Sequence, residues 1–126
     1  MSETEYLVSY GRAGDFGRFR PAQPLACRRG DRVVIRSQQG LELGEVLCQA
    51  EPGHGRFLSR TSLGELLRVA TADDHRTAEC MQERSQRVFE NGRRLIQELG
   101  LPVEIVDVEV LFDGQQATVY HLRRQE

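Results

Sequence analysis

The chain has 126 residues, 39% hydrophobic and 29% charged, with a net charge of −2. That length suits one domain with its own core, and the composition is that of a globular protein. No apolar run reaches the ~20 residues that cross a bilayer, and the acidic start Met1-Ser2-Glu3-Thr4-Glu5 has neither the basic nor the apolar part of a secretory leader, so a cytoplasmic setting is expected.

Tyr6-Leu7-Val8-Ser9-Tyr10 reads as a first strand by its β-rich composition. Gly11, Gly14 and Gly17 then mark a turn, and Pro21 and Pro24 an extended stretch. Gly30-Asp31 turns the chain into a strand through Val33-Val34-Ile35, and Ser37-Gln38-Gln39-Gly40 leads back into Leu41 to Leu47, making a hairpin. In that returning strand the apolar positions change parity at Gly44, which predicts a β-bulge there. Glycine-bent strand pairs of this kind belong to small twisted barrels. Residues 50–62, with Pro52, Gly53 and Gly55, read as a surface loop before a short strand, Leu66 to Ala70.

Thr71 to Gly100 carries the clearest periodicity. Thr71 is placed to cap a helix, with Asp73 and Asp74 at its positive end. Ala78, Met81, Ser85, Val88, Gly92, Leu95 and Leu99 recur at three- and four-residue steps, with Phe89 and Ile96 widening the stripe. Met81, Val88, Leu95 and Leu99 are expected to be buried against a sheet, and the small Ser85 and Gly92 to let the helix approach it closely. Gly100 and Pro102 end the helix. Val103 to Leu122 reads as a second hairpin around Asp113-Gly114, a two-residue turn signal that Gln115 and Gln116 are able to lengthen. The order argues an α+β fold: an N-terminal small β-barrel-like or twisted sheet region, one long amphipathic helix and a C-terminal β-hairpin. Residues 1–126 are read as a single domain, with a β-rich lobe over 1–70 and the helix plus hairpin over 71–126.

The charges are unevenly spread. All 17 basic residues are arginine, and seven of them (Arg12, Arg18, Arg20, Arg28, Arg29, Arg32 and Arg36) face only Asp15 and Asp31 over the same stretch. These seven are the candidate nucleic-acid-binding residues, with a solvated surface as the plainer alternative. Phe16 and Phe19 among them would stack bases if exposed and fill a core if not. Cys27, Cys48 and Cys80 form no Cys-x-x-Cys pair and read as free thiols filling small core gaps. His54, His75 and His121 lack metal-ligand spacing, and no serine sits in a nucleophile elbow. Neither a metal, a cofactor nor a catalytic set is expected.

Taken in order, several stretches resemble the C-terminal domain of the polymerase-suppressor family and its YaaT-like bacterial branch. They are Gly30-Asp31-Arg32-Val33-Val34-Ile35, Gly40-Leu41-Glu42-Leu43-Gly44-Glu45-Val46, Leu67-Arg68-Val69-Ala70-Thr71-Ala72-Asp73-Asp74, Phe89 within the long helix, Gly100-Leu101, and Val106 through Gly114. The chain departs from the family at Gln39, where relatives place arginine, and ends at Arg123-Arg124-Gln125-Glu126 where they continue into a further helix and strand. The cysteine-rich segment that some bacterial members associate with an iron–sulfur cluster has no counterpart in Cys27, Cys48 and Cys80, so no cofactor carries over. The resemblance implies a non-enzymatic regulatory or adaptor domain acting through protein contacts in RNA-processing complexes. The alternative is direct RNA or single-stranded DNA binding through the Arg12–Arg36 segment. The closing hairpin leaves an edge that a homodimer or a partner chain covers, or that Arg123 and Arg124 guard.

Overall fold

The computed structural model describes residues 4–11, 14–51 and 63–124. Among them run strands β1 (Tyr6–Tyr10), β2 (Asp15–Pro21), β3 (Arg32–Ser37), β4 (Gly40–Gln49) and β5 (Leu63–Val69), helix α1 (Ala72–Leu99), and strands β6 (Val103–Val110) and β7 (Ala117–Arg123). This is the α+β arrangement that the sequence indicates. The chain divides into two compact units, Met1–His75 and Arg76–Glu126.

In the first unit the strands close into a barrel in the order β1-β2-β5-β3-β4. Every pairing is antiparallel except that of β2 with β5. Alternation along the strands turns Tyr6, Val8, Phe19, Val33, Ile35, Val46 and Leu66 inward as one core. Tyr10 packs edge-on against Phe19, with ring centroids 5.5 Å apart. Among the described residues, each of the five strands pairs with a neighbour on both sides.

Two expectations about the barrel need correction. Gly11 and Gly14 do mark a turn, each at a φ of 75° with the Gly14 amide on the Gly11 carbonyl, but Gly17 and the stretch to Pro21 belong to strand β2, with Gly17 paired opposite Val8. Its ladder comes from β1 and β5, so it forms despite weak local β-propensity. No bulge lies at Gly44 on the β3 side, where pairing is unbroken from Arg32–Glu45 to Ser37–Gly40. Glu42, Gly44 and Val46 are all buried in one continuous alternation. The irregularity falls at Leu47, between the pairs Leu7–Cys48 and Val8–Val46. Gly44 marks a close approach instead: a Cβ there would sit 2.9 Å from the Ser9 carbonyl oxygen.

Helix α1 begins where the sequence places it. The Asp74 amide donates to Thr71 Oγ1 at 3.2 Å, and the Thr71 amide donates back to Asp74 Oδ2 at 2.9 Å, a reciprocal capping box. Arg68 on β5 adds two hydrogen bonds to the same carboxylate, at 2.8 and 3.1 Å. At the far end Gly100 takes a φ of 65°, and the Leu101 amide reaches the Ile96 carbonyl at 3.1 Å, closing the helix with a Schellman cap.

The second unit holds the rest of α1 and the two-stranded sheet β6-β7. Ser85 and Gly92 provide the close approach expected of them. The Val110 amide donates to Ser85 Oγ at 2.8 Å, and a Cβ on Gly92 would meet the Ile105 Cδ1 atom at 2.6 Å. The helix thus rests on β6, where Val108 and Val110 are buried. Of the four helical residues expected to be buried, Met81 is half-buried, but Val88 is exposed, as are Leu95 (51%) and Leu99 (68%). The buried line of the helix is centred on Ser85, and a two-stranded sheet is too narrow to cover the flank that carries the other three. The loop between β6 and β7 takes the longer form, Leu111 to Gln116, with the Leu111 amide on the Gln116 carbonyl and Gly114 at a φ of 70°.

Candidate functional site

On the outer side of the barrel, β2, β5 and β3 set Arg20, Glu65 and Arg36 in one cross-strand row. Arg36 Nη1 donates to Glu65 Oε1 at 3.5 Å, and Arg20 Nη2 donates to Glu5 Oε2 at 3.0 Å. Arg18 Nη1 lies 3.6 Å from the other oxygen of Glu5. A cavity of about 500 Å³ opens beside the row, lined in part by Arg20, Arg36, Ser37, Gln38, Leu63 and Glu65. Arg18, Arg20 and Arg36 are therefore brought together, but Glu5 and Glu65 offset most of their charge. Neither acid stands near the arginines in the sequence: Glu5 precedes the basic stretch, and Glu65 reaches it only through the pairing of β5 with β2 and β3.

The other arginines stand apart from this group. Arg28 and Arg29 lie in the turn before β3, where the Arg28 amide donates to Asp31 Oδ2 at 2.8 Å. Arg32 opens β3 and pairs in register with Glu45, about 13 Å along the strand from Arg36. Arg12 falls outside the described residues. The two phenylalanines divide as well: Phe19 is 1% exposed and belongs to the core, whereas Phe16, three residues earlier, is 44% exposed.

The cysteines do not behave alike either. Cys27 packs against the barrel core, and burial, aided by the nearby Asp31 charge, raises its thiol above the usual range and so disfavours the thiolate. Cys48 is half-buried, but Cys80 is exposed on α1 and fills no core gap. The strongest electrostatic perturbation belongs to Asp74, whose hydrogen bonds from Arg68 hold its carboxyl at about 2. That pair joins β5 to the start of α1 and is structural. Among the described residues no group of three metal-ligating side chains converges.

The helix–hairpin unit carries the other candidate surface. Val88, Leu95, Leu99, Leu101, Val106, Val119, Tyr120 and Leu122 are all exposed there, against Phe16, Leu63 and Val69 in the barrel unit. Antiparallel partners share a face, so Val119 lies on the α1 side with Val108, while Tyr120 and Leu122 face away from the helix opposite Asp107 and Glu104. Val106 is exposed at the point where the β6–β7 register shifts, between Ile105 and Asp107. A signal for this was present in the sequence. Val119, Tyr120 and Leu122 put apolar side chains on both faces of one strand, and a single helix covers only one of them.

Neither the curated proteins nor the solved structures include a match to this chain. The sequence does match the PSP1 C-terminal conserved region over residues 64–126, a span that opens inside β5 and takes in α1, β6 and β7. With the strand, capped helix and hairpin of that region in place, the chain belongs to the PSP1 family.

Proposed function

We propose that the chain is a non-enzymatic adaptor domain whose helix–hairpin unit presents an apolar surface to a protein partner. The observation that carries this reading is the concentration of exposed large apolar side chains in Arg76–Glu126, inside the region shared with the family. Scattered single exposures are ordinary, but a cluster of this kind is the mark of a docking site. The outer face of the hairpin sets exposed Tyr120 and Leu122 directly across from Asp107 and Glu104, with exposed Val106 at the register shift between those acids, the mix of apolar and polar groups found at protein interfaces. The resemblance to the YaaT-like branch suggests a partner in RNA-processing complexes and a bacterial, cytoplasmic setting.

Direct binding of RNA or single-stranded DNA is the second reading. Its support is the exposed Phe16 on the strand that also carries Arg18 and Arg20, beside the cavity flanked by Arg36. The acids already paired with those arginines weigh against it.

Affinity capture from native lysate, with nuclease treatment and at raised salt, separates the two. An apolar protein contact survives both, whereas binding through several arginines falls steeply with salt. A captured protein that is retained by wild type and lost with Val106→Ser plus Tyr120→Ser supports the adaptor. Capture that depends on nucleic acid and is lost with Arg20→Gln plus Arg36→Gln supports the second reading.

A further inference from the structure

The surface on the opposite side of the hairpin differs from the adaptor face. Val108 and Val119 are cross-strand partners on the α1 side of the sheet, yet Val108 is 1% exposed and Val119 47%. The helix covers β6 and leaves β7 bare. Along α1, Val88, Leu95 and Leu99 lie roughly 40–80° around from the Ser85 line, all on one flank. Met81 and Arg84 occupy that same flank. They are also the side chains nearest Gly114 in the loop that leads into β7: a Cβ there would meet Arg84 Nη1 at 3.2 Å and Met81 Sδ at 3.6 Å. The bare strand and the bare helical flank are therefore neighbours. Together they form one apolar step, bounded by the edge of β7 along which no further strand pairs among the described residues.

We infer that a second copy of this chain fills that step, through antiparallel pairing of β7 with β7 about a two-fold axis. This goes beyond the adaptor reading and uses a different face. One operation would extend the sheet to four strands, cover Val119, and set the two helical flanks of Val88, Leu95 and Leu99 against each other. A two-fold interface requires a self-complementary patch, and charge identifies which edge qualifies. Strand β6 carries Glu104, Asp107 and Glu109, so pairing it with its own copy would bring like charges together. Strand β7, Ala-Thr-Val-Tyr-His-Leu-Arg, contains no acid and a single arginine near its end. An axis near the middle of the strand places Arg123 against Ala117 of the second copy, away from its own counterpart. The sequence alone leaves cover by a second copy or a partner chain balanced against guarding by Arg123 and Arg124. The bare α1 flank beside β7 favours the homodimer, because pairing at that edge covers both at once.

Light scattering of the full chain across a roughly hundredfold concentration range tests the inference. The expected result is a mass twice the 14.3 kDa of the chain at the upper end. Leu95→Glu and Val119→Lys, both at exposed positions, should each weaken dimerisation roughly tenfold or more while leaving far-UV circular dichroism unchanged. Val106→Ser on β6 should leave the dimer intact. Isotope-filtered NMR of a mixed-label sample should show contacts between the two copies at Val119. A strictly monomeric mass throughout, or a dimer unaffected by both Leu95→Glu and Val119→Lys, overturns the inference. A monomer that still captures a partner through Val106 and Tyr120 removes the dimer alone, and a dimer that captures nothing removes the adaptor reading alone.

Discussion

In the barrel unit Val8, Val33, Ile35 and Leu66 have no exposed surface, whereas in the helix–hairpin unit, among the described apolar side chains, only Val108, Val110 and Leu111 are buried and eight large ones face outward. Both units use the same residue types, so composition is not the cause. A closed five-stranded sheet pairs every edge with itself and has an inside. A two-stranded sheet has two edges and two faces, and one helix resting on β6 covers part of one face. Isolated hairpins are marginal in water and depend on what packs against them. The barrel therefore buries its own apolar side chains, whereas the helix–hairpin unit leaves many of its own exposed.

The contrast is broken most directly at Phe19. With 1% exposure in the barrel core, Phe19→Ala should lower the unfolding free energy by ~3–5 kcal/mol in urea titration. A loss under about 1 kcal/mol would mean the barrel is not the tightly packed unit described. Next comes Ser85, the buried hydroxyl that accepts the Val110 amide. Ser85→Ala leaves that amide without its partner and should cost ~1–3 kcal/mol, read as a lower denaturation midpoint. A neutral effect would show that α1 does not rest on β6 through this bond.

Asp74 gives a smaller effect with a defined pH window. Its folded pKa, about 2, lies below the ordinary 3.8, so the unfolded chain binds the proton more readily. Stability from this group is fully present above the ordinary value and is lost as pH falls from about 4 to 2. Asp74→Asn should flatten that part of the stability profile and, through the weakened cap, cost ~1–2 kcal/mol at neutral pH. An unchanged acid limb would count against the Arg68–Asp74 contact.

The smallest effect is the most instructive. Leu95 sits on the apolar stripe of α1, and its spacing alone points to a core position and a loss of ~2–5 kcal/mol on truncation. At 51% exposure, Leu95→Ala should instead change monomer stability by under about 0.5 kcal/mol, measured at concentrations where self-association is absent. A core-sized loss there would return the flank to the interior of the fold.

Local chemistry was legible wherever one or two residues decide it. Thr71 and Asp74 cap α1, Gly100 ends it in a left-handed turn, and Ser85 and Gly92 mark its close approach to a strand. Partnership between distant residues was not. Strand β2 was hidden because Asp15, Gly17 and Pro21 weaken its local β signal, and it gains its ladder from β1 and from a parallel β5 far along the chain. The antiparallel pairing of β5 with β3 brings Glu65 to Arg36, turning part of a basic stretch into a charge-balanced row. Heptad-like spacing showed that Val88, Leu95 and Leu99 share a flank, but the width of the sheet beneath them decides their burial. The exposed hairpin face was legible only in retrospect, from apolar residues at both parities of β7.

The central claim is that the outer face of the hairpin is kept apolar for a partner and contributes little to the fold. Val106→Ser combined with Tyr120→Ser tests it in one preparation, scored for thermal midpoint and for protein capture after nuclease treatment. A folded protein with a nearly unchanged midpoint that no longer retains the protein captured by wild type is the expected result. Unfolding of the double variant, or undiminished capture of the same protein, would contradict it.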